Sequence, residues 1–229
     1  MINGQDAKIE DQLDVIGFVP QDDIVYAELT VLENLMFAGK FKLPRGTSFA
    51  KIRHLADDVI ADLGLTRVTN SIVGDVNRRG VSGGEKKRVN IGLELMAKPS
   101  ILFLDEPTSG LDASSAVVVM TSLHRLVKNQ GMTVCSVIHQ PRKQIFEMFD
   151  SLVLLGVGGR TVYHGSVSEV QSYFMERGYE VPAGESLADW LLDVSAGRVS
   201  SESSETLQPM ASMAQLSSED NFEAVNRSR

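Results

Sequence analysis

Apolar positions change their period twice along this chain. VIGFVP, Val15 to Pro20, is a continuous apolar run of strand length, closed by a proline that cannot donate to a ladder. From Thr30 the spacing turns helical: Thr30 is placed to cap VLENLMFAGKF, and Glu33, three positions on, completes a capping box. KLPRGTS is a loop signal. FAKIRHLADDVIADLGL then carries Ile52, Leu55, Val59, Ile60 and Leu63 as one helical stripe, stopped by Gly64. Residues from about 30 to 98 read as mainly helical. After Pro99 strands and helices alternate. ILFL is a strand, ASSAVVVMTSLHRLVKNQG a helix ending in Gly131, Met132 to His139 a strand, QIFEMF a short helix and SLVLLG another strand. Such alternation predicts βαβ units and a parallel sheet with right-handed crossovers. LVLLGVGGRTVYHG predicts a hairpin through Gly158-Gly159, followed by two amphipathic helices in SEVQSYFMERG and SLADWLLDVSAG. From Arg198 onward the chain is rich in serine and acids with little periodicity, which predicts a disordered linker.

Composition narrows the function classes. The 229 residues suffice for one large domain or a core with a smaller insertion. A net charge of −8 argues against a nucleic-acid partner, which calls for a basic face. It leaves a nucleotide site open, since backbone N–H groups carry much of such a site. The single Cys135 has no disulfide partner within the chain, fits a reducing compartment and reads as a buried small hydrophobe in its strand. No run reaches the ~18 apolar residues of a membrane-spanning helix, and MINGQDAKIEDQLD lacks the basic start and apolar stretch of a secretory signal.

Three strand ends and one helix start hold the candidate chemistry. In VSGGEKKRVNIGLEL, Ser82 is an N-cap and Glu85 completes a second capping box; Gly83 and Gly84 leave the helix start bare. That start is either an anion site at the positive end of the helix dipole or simply a well-capped helix. ILFLDEPTSGLD runs four apolar residues into Asp105 and Glu106. An apolar strand ending in Asp matches the carboxylate that holds Mg²⁺ in phosphate-loop NTPases. The next acid faces another way along extended chain, where it can act as general base on an attacking water. The plainer reading is an exposed acidic pair at a strand end. Gln21 follows the first strand and His139 ends the third. In an open parallel sheet, ligands bind beyond these C-terminal strand ends.

FVPQDD, VSGGEKKR, ILFLDEPTSGLD and VIHQP, in this order, closely resemble the nucleotide-binding domain of ATP-binding cassette transporters, over most of Met1 to about Gly197. GFVPQDD, RRGVSGGEKKRVNIGLEL, DEPTSGLD and HQPRKQIFEMFD resemble the G subfamily, the white and pleiotropic-drug-resistance type. The resemblance implies an α/β fold: a P-loop NTPase-like, mostly parallel sheet core with an inserted α-helical subdomain. It implies ATP and Mg²⁺ as ligands, with ATP hydrolysis powering export through ATP-driven dimerisation. Gln21 resembles the Q-loop glutamine, which touches Mg²⁺ and the attacking water. Ser82, Gly83, Gly84 and Glu85 stand at the signature motif, which contacts the γ-phosphate held by an opposing domain. Glu85 stands where that motif usually has Gln. Asp105 corresponds to the Walker B aspartate, Glu106 to the catalytic glutamate, Asp112 to the D-loop and His139 to the switch histidine. The implied partners are a second nucleotide-binding domain and a transmembrane domain, with the cassette on the cytoplasmic side of a membrane.

On this reading residues 1–29 are core with the Q-loop, 30–98 the helical subdomain, 99–197 the rest of the core and 198–229 the linker. The 229 residues contain no G-x-x-x-x-G-K-[ST] loop, and only twenty residues precede Gln21. MINGQDAKI resembles the strand that follows the phosphate-loop helix in this family. The expectation is a cassette lacking its first strands, with bare strand edges, exposed apolar faces and poor solubility. Isolated, it binds ATP very weakly and hydrolyses it negligibly. Two other readings are a non-catalytic fragment that pairs with an intact domain, and a soluble ABC ATPase of the DNA-repair kind. The transported substrate is not legible.

Overall fold

A computed structural model describes residues 15–199; MINGQDAKI and nearly all of the Ser/acid-rich tail lie outside the described residues. The chain divides into two compact units, residues 1–139 and residues 140–229.

In the first unit, β1 (Ile16–Val19), β2 (Ile101–Asp105) and β3 (Thr133–Val137) form a parallel sheet in the order β1-β2-β3. Ile16 lies opposite Ile101 and Val19 opposite Leu104, while Ile101 faces Thr133 and Asp105 faces Val137. β3 is shorter than the Met132–His139 run because its register against β2 ends with Asp105. Three helices are inserted between β1 and β2: α1 (Val31–Lys42), α2 (Phe49–Asp62) and α3 (Gly83–Leu95). The crossover from β2 to β3 is α4 (Ala113–Gln130). The parallel sheet with its α4 crossover is the α/β architecture that the alternation predicts, and the three helices between β1 and β2 fall in the stretch that reads as mainly helical.

Local chemistry sets the helix ends. At α1 the Thr30 side chain accepts from the Glu33 amide at 3.2 Å while Glu33 accepts from the Thr30 amide at 2.8 Å, so two otherwise unpaired donors are satisfied reciprocally. α4 stops where Gly131 takes a left-handed conformation, φ 65°, which glycine adopts without a Cβ penalty. The segment after α2 returns to the start of α1 through a bridge from Ile72 to Thr30.

The two faces of the sheet are unequal. Gly17, Val19, Leu102 and Leu104 point to one face and are buried; α3 packs against β1 and α4 against β3, and these helices carry the buried Val89, Ile91, Val119 and Leu123. The alternate positions Phe18, Phe103, Cys135 and Val137 point the other way and are exposed, Val137 by 63%. Cys135 is therefore not the buried hydrophobe its strand suggests: it is exposed, on the strand that ends the sheet among the described residues. Parallel sheets ordinarily carry cover on both faces.

The second unit pairs β4 (Ser151–Leu155) with β5 (Thr161–Ser166) antiparallel, joined through a 3-10 turn at Val157–Gly159. The helices α5 (Lys143–Phe146), α6 (Val170–Met175) and α7 (Leu187–Ser195) complete it. Phe174 and Trp190, both fully buried, meet edge to face with ring centroids 5.7 Å apart, and Tyr163, Val170 and Leu191 pack around them.

Candidate functional site

Carrying the β1–β2 register two residues past Val19–Leu104 sets Gln21 opposite Glu106. Carrying the β2–β3 register on from Asp105–Val137 brings His139 to the same end of the sheet, two residues beyond the last pair. Strand order thus lines up Gln21, the Asp105–Glu106 pair and His139 along one edge. The contact that closes this edge is between side chains. Gln21 Nε2 donates to Glu106 Oε2 at 3.1 Å and lies 3.5 Å from Ser109 Oγ.

Glu106 does not reach this position by strand alternation. β2 ends at Asp105, and Glu106 has φ 43°, a left-handed conformation that costs a non-glycine residue roughly 1–3 kcal/mol. Its amide donates to Val137 O at 3.0 Å and its carbonyl accepts from the Ser109 amide at 3.0 Å. Those two bonds hold the turn that aims the carboxylate away from the strand and toward Gln21. Glu106 meets Gln21 through this left-handed turn and not through the alternation of an extended strand.

At the start of α3, the Ser82 side chain accepts from the Glu85 amide at 3.3 Å, and Glu85 Oε2 accepts from the Ser82 amide at 2.7 Å and from Ser82 Oγ at 2.8 Å. The amides of Gly83 and Gly84 have no acceptor within the helix. The two glycines differ in what they permit. A Cβ on Gly84 would stand 2.9 Å from Ser115 Cβ on α4, whereas one on Gly83 would meet Leu111 Cδ2 at an ordinary 3.5 Å. Gly84 is what lets the two helix starts approach. Gly84→Ala therefore adds an overpacking cost of about 1–3 kcal/mol against up to about 1 kcal/mol of helix propensity gained. Thermal unfolding should show a lower midpoint for Gly84→Ala and an unchanged or higher one for Gly83→Ala; equal midpoints would remove the close approach as the reason for Gly84.

Asp112 caps α4. Its Oδ1 accepts from the Ser114 and Ser115 amides, each at 3.0 Å, and both serine hydroxyls donate to the same carboxylate. The Ser114 hydroxyl, then the Ser115 hydroxyl and amide, hold this carboxyl well below the usual carboxylate range. Because the carboxyl is held low only in the folded chain, the stability it adds is fully present above the usual carboxylate range and is lost progressively as pH falls through that range toward the depressed value. His139 is exposed beyond the end of β3.

The donor set suits one kind of cation. Among the described residues no group of three His, Cys, Asp or Glu could hold a metal ion. Mg²⁺ working with phosphates takes one or two protein ligands and completes its octahedron with phosphate oxygens and water. Asp105, half-buried at its strand end, and the neighbouring Gln21 make such a sparse set. They fit a metal brought with a nucleotide better than a resident ion.

Sequence reasoning named Gln21, Asp105, Glu106 and His139, and the structure brings them to one sheet edge, with Gln21 and Glu106 in direct contact. Ser82 to Glu85 form the capped start of α3, and Gly84 meets Ser115 of α4, the helix that Asp112 caps. Ser109 and Lys87 were not singled out. Ser109 lies three residues past Glu106 in DEPTSGLD, and its short separation from Glu106 is the signal that finds it. Lys87, third in EKKR, carries no such signal, because its burial depends on a segment far away in sequence.

Comparisons with known proteins bear on the family of the chain. A family profile described as ABC transporter matches residues 1–109, and one described as ABC-2 type transporter matches residues 139–217. No helix among the described residues is long and apolar enough to cross a membrane. ABC transporter G family member 25 from Oryza sativa subsp. japonica is 45% identical over 197 residues, covering 86% of this chain and 20% of the rice protein. The Rattus norvegicus broad substrate specificity ATP-binding cassette transporter ABCG2 is 46% identical over 181 residues, covering 79% of this chain and 27% of the rat protein. The chain thus spans roughly a fifth to a quarter of the length of these curated relatives. Among solved structures, a dimeric ATP-binding cassette in a post-hydrolysis state with ADP and Pi is similar with a TM-score of 0.51 at 28% identity, over 66% of this chain and 63% of that one. With the P-loop NTPase-type sheet, the motif order and these relatives in agreement, the chain belongs to the ABC transporter family, of the G-subfamily type.

Proposed function

We propose that these residues are the ATP-hydrolysing part of the cassette of a G-type exporter, and that they form one half of a site completed by an opposing nucleotide-binding domain. The observation that carries this reading is the 3.1 Å contact between Gln21 Nε2 and Glu106 Oε2 at the strand end that also presents Asp105. Glu106 takes the proton of the attacking water, and Gln21 orients that water. Asp105, with Gln21, would hold Mg²⁺, which when bound neutralises charge developing on the phosphate oxygens. His139 donates toward the γ-phosphate. Ser82, Gly83, Gly84 and Glu85 present the start of α3 to the γ-phosphate of nucleotide held by the opposing domain, and the turn at Asp112 meets that domain. Splitting the site between two domains ties closure to ATP and opening to hydrolysis.

In this reading 30–98 is a helical subdomain moving against the core, and the cassette works on the cytoplasmic side of a membrane beside a transmembrane domain. Residues 1–229 hold no phosphate loop of the G-x-x-x-x-G-K-[ST] type, so the β-phosphate cradle must come from elsewhere. The chain alone then binds Mg-ATP more weakly than millimolar and hydrolyses none measurably. Calorimetry with Mg-ATP tests this together with phosphate release, on the chain alone and mixed with an intact G-type cassette. A micromolar dissociation constant for the chain alone would contradict the division of the site.

A further inference from the structure

Five polar or charged residues are buried among the described residues: Asn34, Lys87, Asn90, Ser122 and Ser195. Three of the five serve one short stretch, residues 21–26. Lys87 Nζ donates to the carbonyl of Gln21 at 2.7 Å and lies 2.6 Å from Asp23 Oδ1, an ion pair without hydrogen-bond alignment. Asn90, one turn further along α3 on the same face, accepts from the Ile24 amide at 3.1 Å. Asn34 of α1 accepts from the Tyr26 amide at 2.9 Å and donates to the Tyr26 carbonyl at 3.0 Å. This stretch has no regular secondary structure, yet its backbone is tied at both ends to helices.

Lys87 stands out within this set. Its side chain is only 4% exposed, and a buried ammonium persists where its partners compensate for lost hydration. Both of its partners lie in residues 21–23, and one is the backbone of the residue whose side chain holds Glu106. We infer that Lys87 is a positioning residue: it fixes the Gln21 backbone to α3, so that the Gln21 amide can reach the Glu106 carboxylate. This inference rests on the proposed roles of Gln21 and Glu106, and adds the residue that holds the Gln21 backbone in place for them. The start of α3 is the candidate phosphate-facing element, and four residues on, the same helix holds Gln21.

The test uses residue-resolved hydrogen–deuterium exchange and carbodiimide labelling of carboxylates on the 229-residue chain and its Lys87→Met variant. In the wild-type chain, the Ile24 and Tyr26 amides should exchange at rates close to those of Val89 to Leu95. Lys87→Met nearly conserves volume but removes a charged hydrogen-bond donor. It should raise exchange across residues 21–26 by about ten- to a hundredfold and leave Val89 to Leu95 within a factor of about two. Labelling of Glu106 should rise relative to Asp105, because the Gln21 amide no longer covers it. A purely structural Lys87 would instead raise exchange throughout residues 15–139 and leave the labelling ratio unchanged; that result overturns the inference. If Lys87→Met does not fold, Asp23→Asn takes its place. It removes only the ion pair and should give a smaller rise in the same stretch, and no rise overturns the inference. Wild-type exchange of residues 21–26 at open-loop rates does the same. None of these readouts involves ATP, so failure of the hydrolytic reading shows separately, in phosphate release.

Discussion

Replacing Glu106 with glutamine, in a complete cassette carrying these residues, should lower ATP turnover by about 10²- to 10⁴-fold, the contribution of a well-placed general base. The substitution is nearly isosteric, so the left-handed turn at φ 43° and its backbone bonds to Val137 and Ser109 can persist. The amide that replaces the carboxylate still pairs with Gln21 but cannot take a proton from water. Binding should survive, because the charge lost is one that repels the γ-phosphate. The expected result is a stable ATP-loaded pair, seen as tightly held, unhydrolysed nucleotide in a single-turnover assay. Asp105→Asn offers the contrast: it weakens the seat of the metal, so nucleotide retention should fall together with turnover. Unchanged turnover in Glu106→Gln would remove Glu106 from the role of base.

The largest stability effect lies in the second unit. Trp190 is the single tryptophan of the chain and is fully buried against Phe174. Trp190→Ala should destabilise that unit by about 3–5 kcal/mol, through lost apolar transfer and the cavity left behind. This is a large share of the roughly 5–15 kcal/mol that holds a typical domain together. Trp190→Phe should cost much less. The indole Nε1 is buried with no hydrogen-bond partner among the described residues, and removing an unsatisfied donor recovers about 1–3 kcal/mol against the smaller cavity. Chemical denaturation followed by circular dichroism tests the pair. Equal losses for Ala and Phe would mean that the site collapses around the smaller side chain or that the indole donor finds a water. In the wild-type chain the fluorescence of this one indole reports unfolding of the second unit alone.

Features governed by short sequence separations were legible. The capping boxes at Thr30–Glu33 and Ser82–Glu85, the stop at Gly131 and the alternation of strands and helices after Pro99 each depend on a few neighbouring residues, and each stands in the structure. What the residues alone could not give depends on long-range placement. Gln21 and Glu106 are 85 positions apart, and their contact requires β1 to lie beside β2. Lys87 reads as one more charge in EKKR, and only the packing of residues 21–23 on α3 makes it a buried ammonium. The exposure of Cys135 is not written in its own run, because a run of apolar residues does not say which strand ends the sheet among the described residues or which face is exposed. The strain at Glu106 was invisible for the same reason. A left-handed φ at a glutamate is imposed by its turn and by the bonds to Val137 and Ser109, not by its own preference.

The central claim is that these residues supply one half of a shared ATP site. Sedimentation velocity most directly tests it, on the 229-residue chain mixed with an intact G-type nucleotide-binding domain, with and without Mg-ATP. The account predicts a one-to-one complex that forms only with Mg-ATP and is lost in Ser82→Arg, where a bulky side chain blocks the start of α3. Association that ignores nucleotide, or that survives Ser82→Arg unchanged, would contradict it.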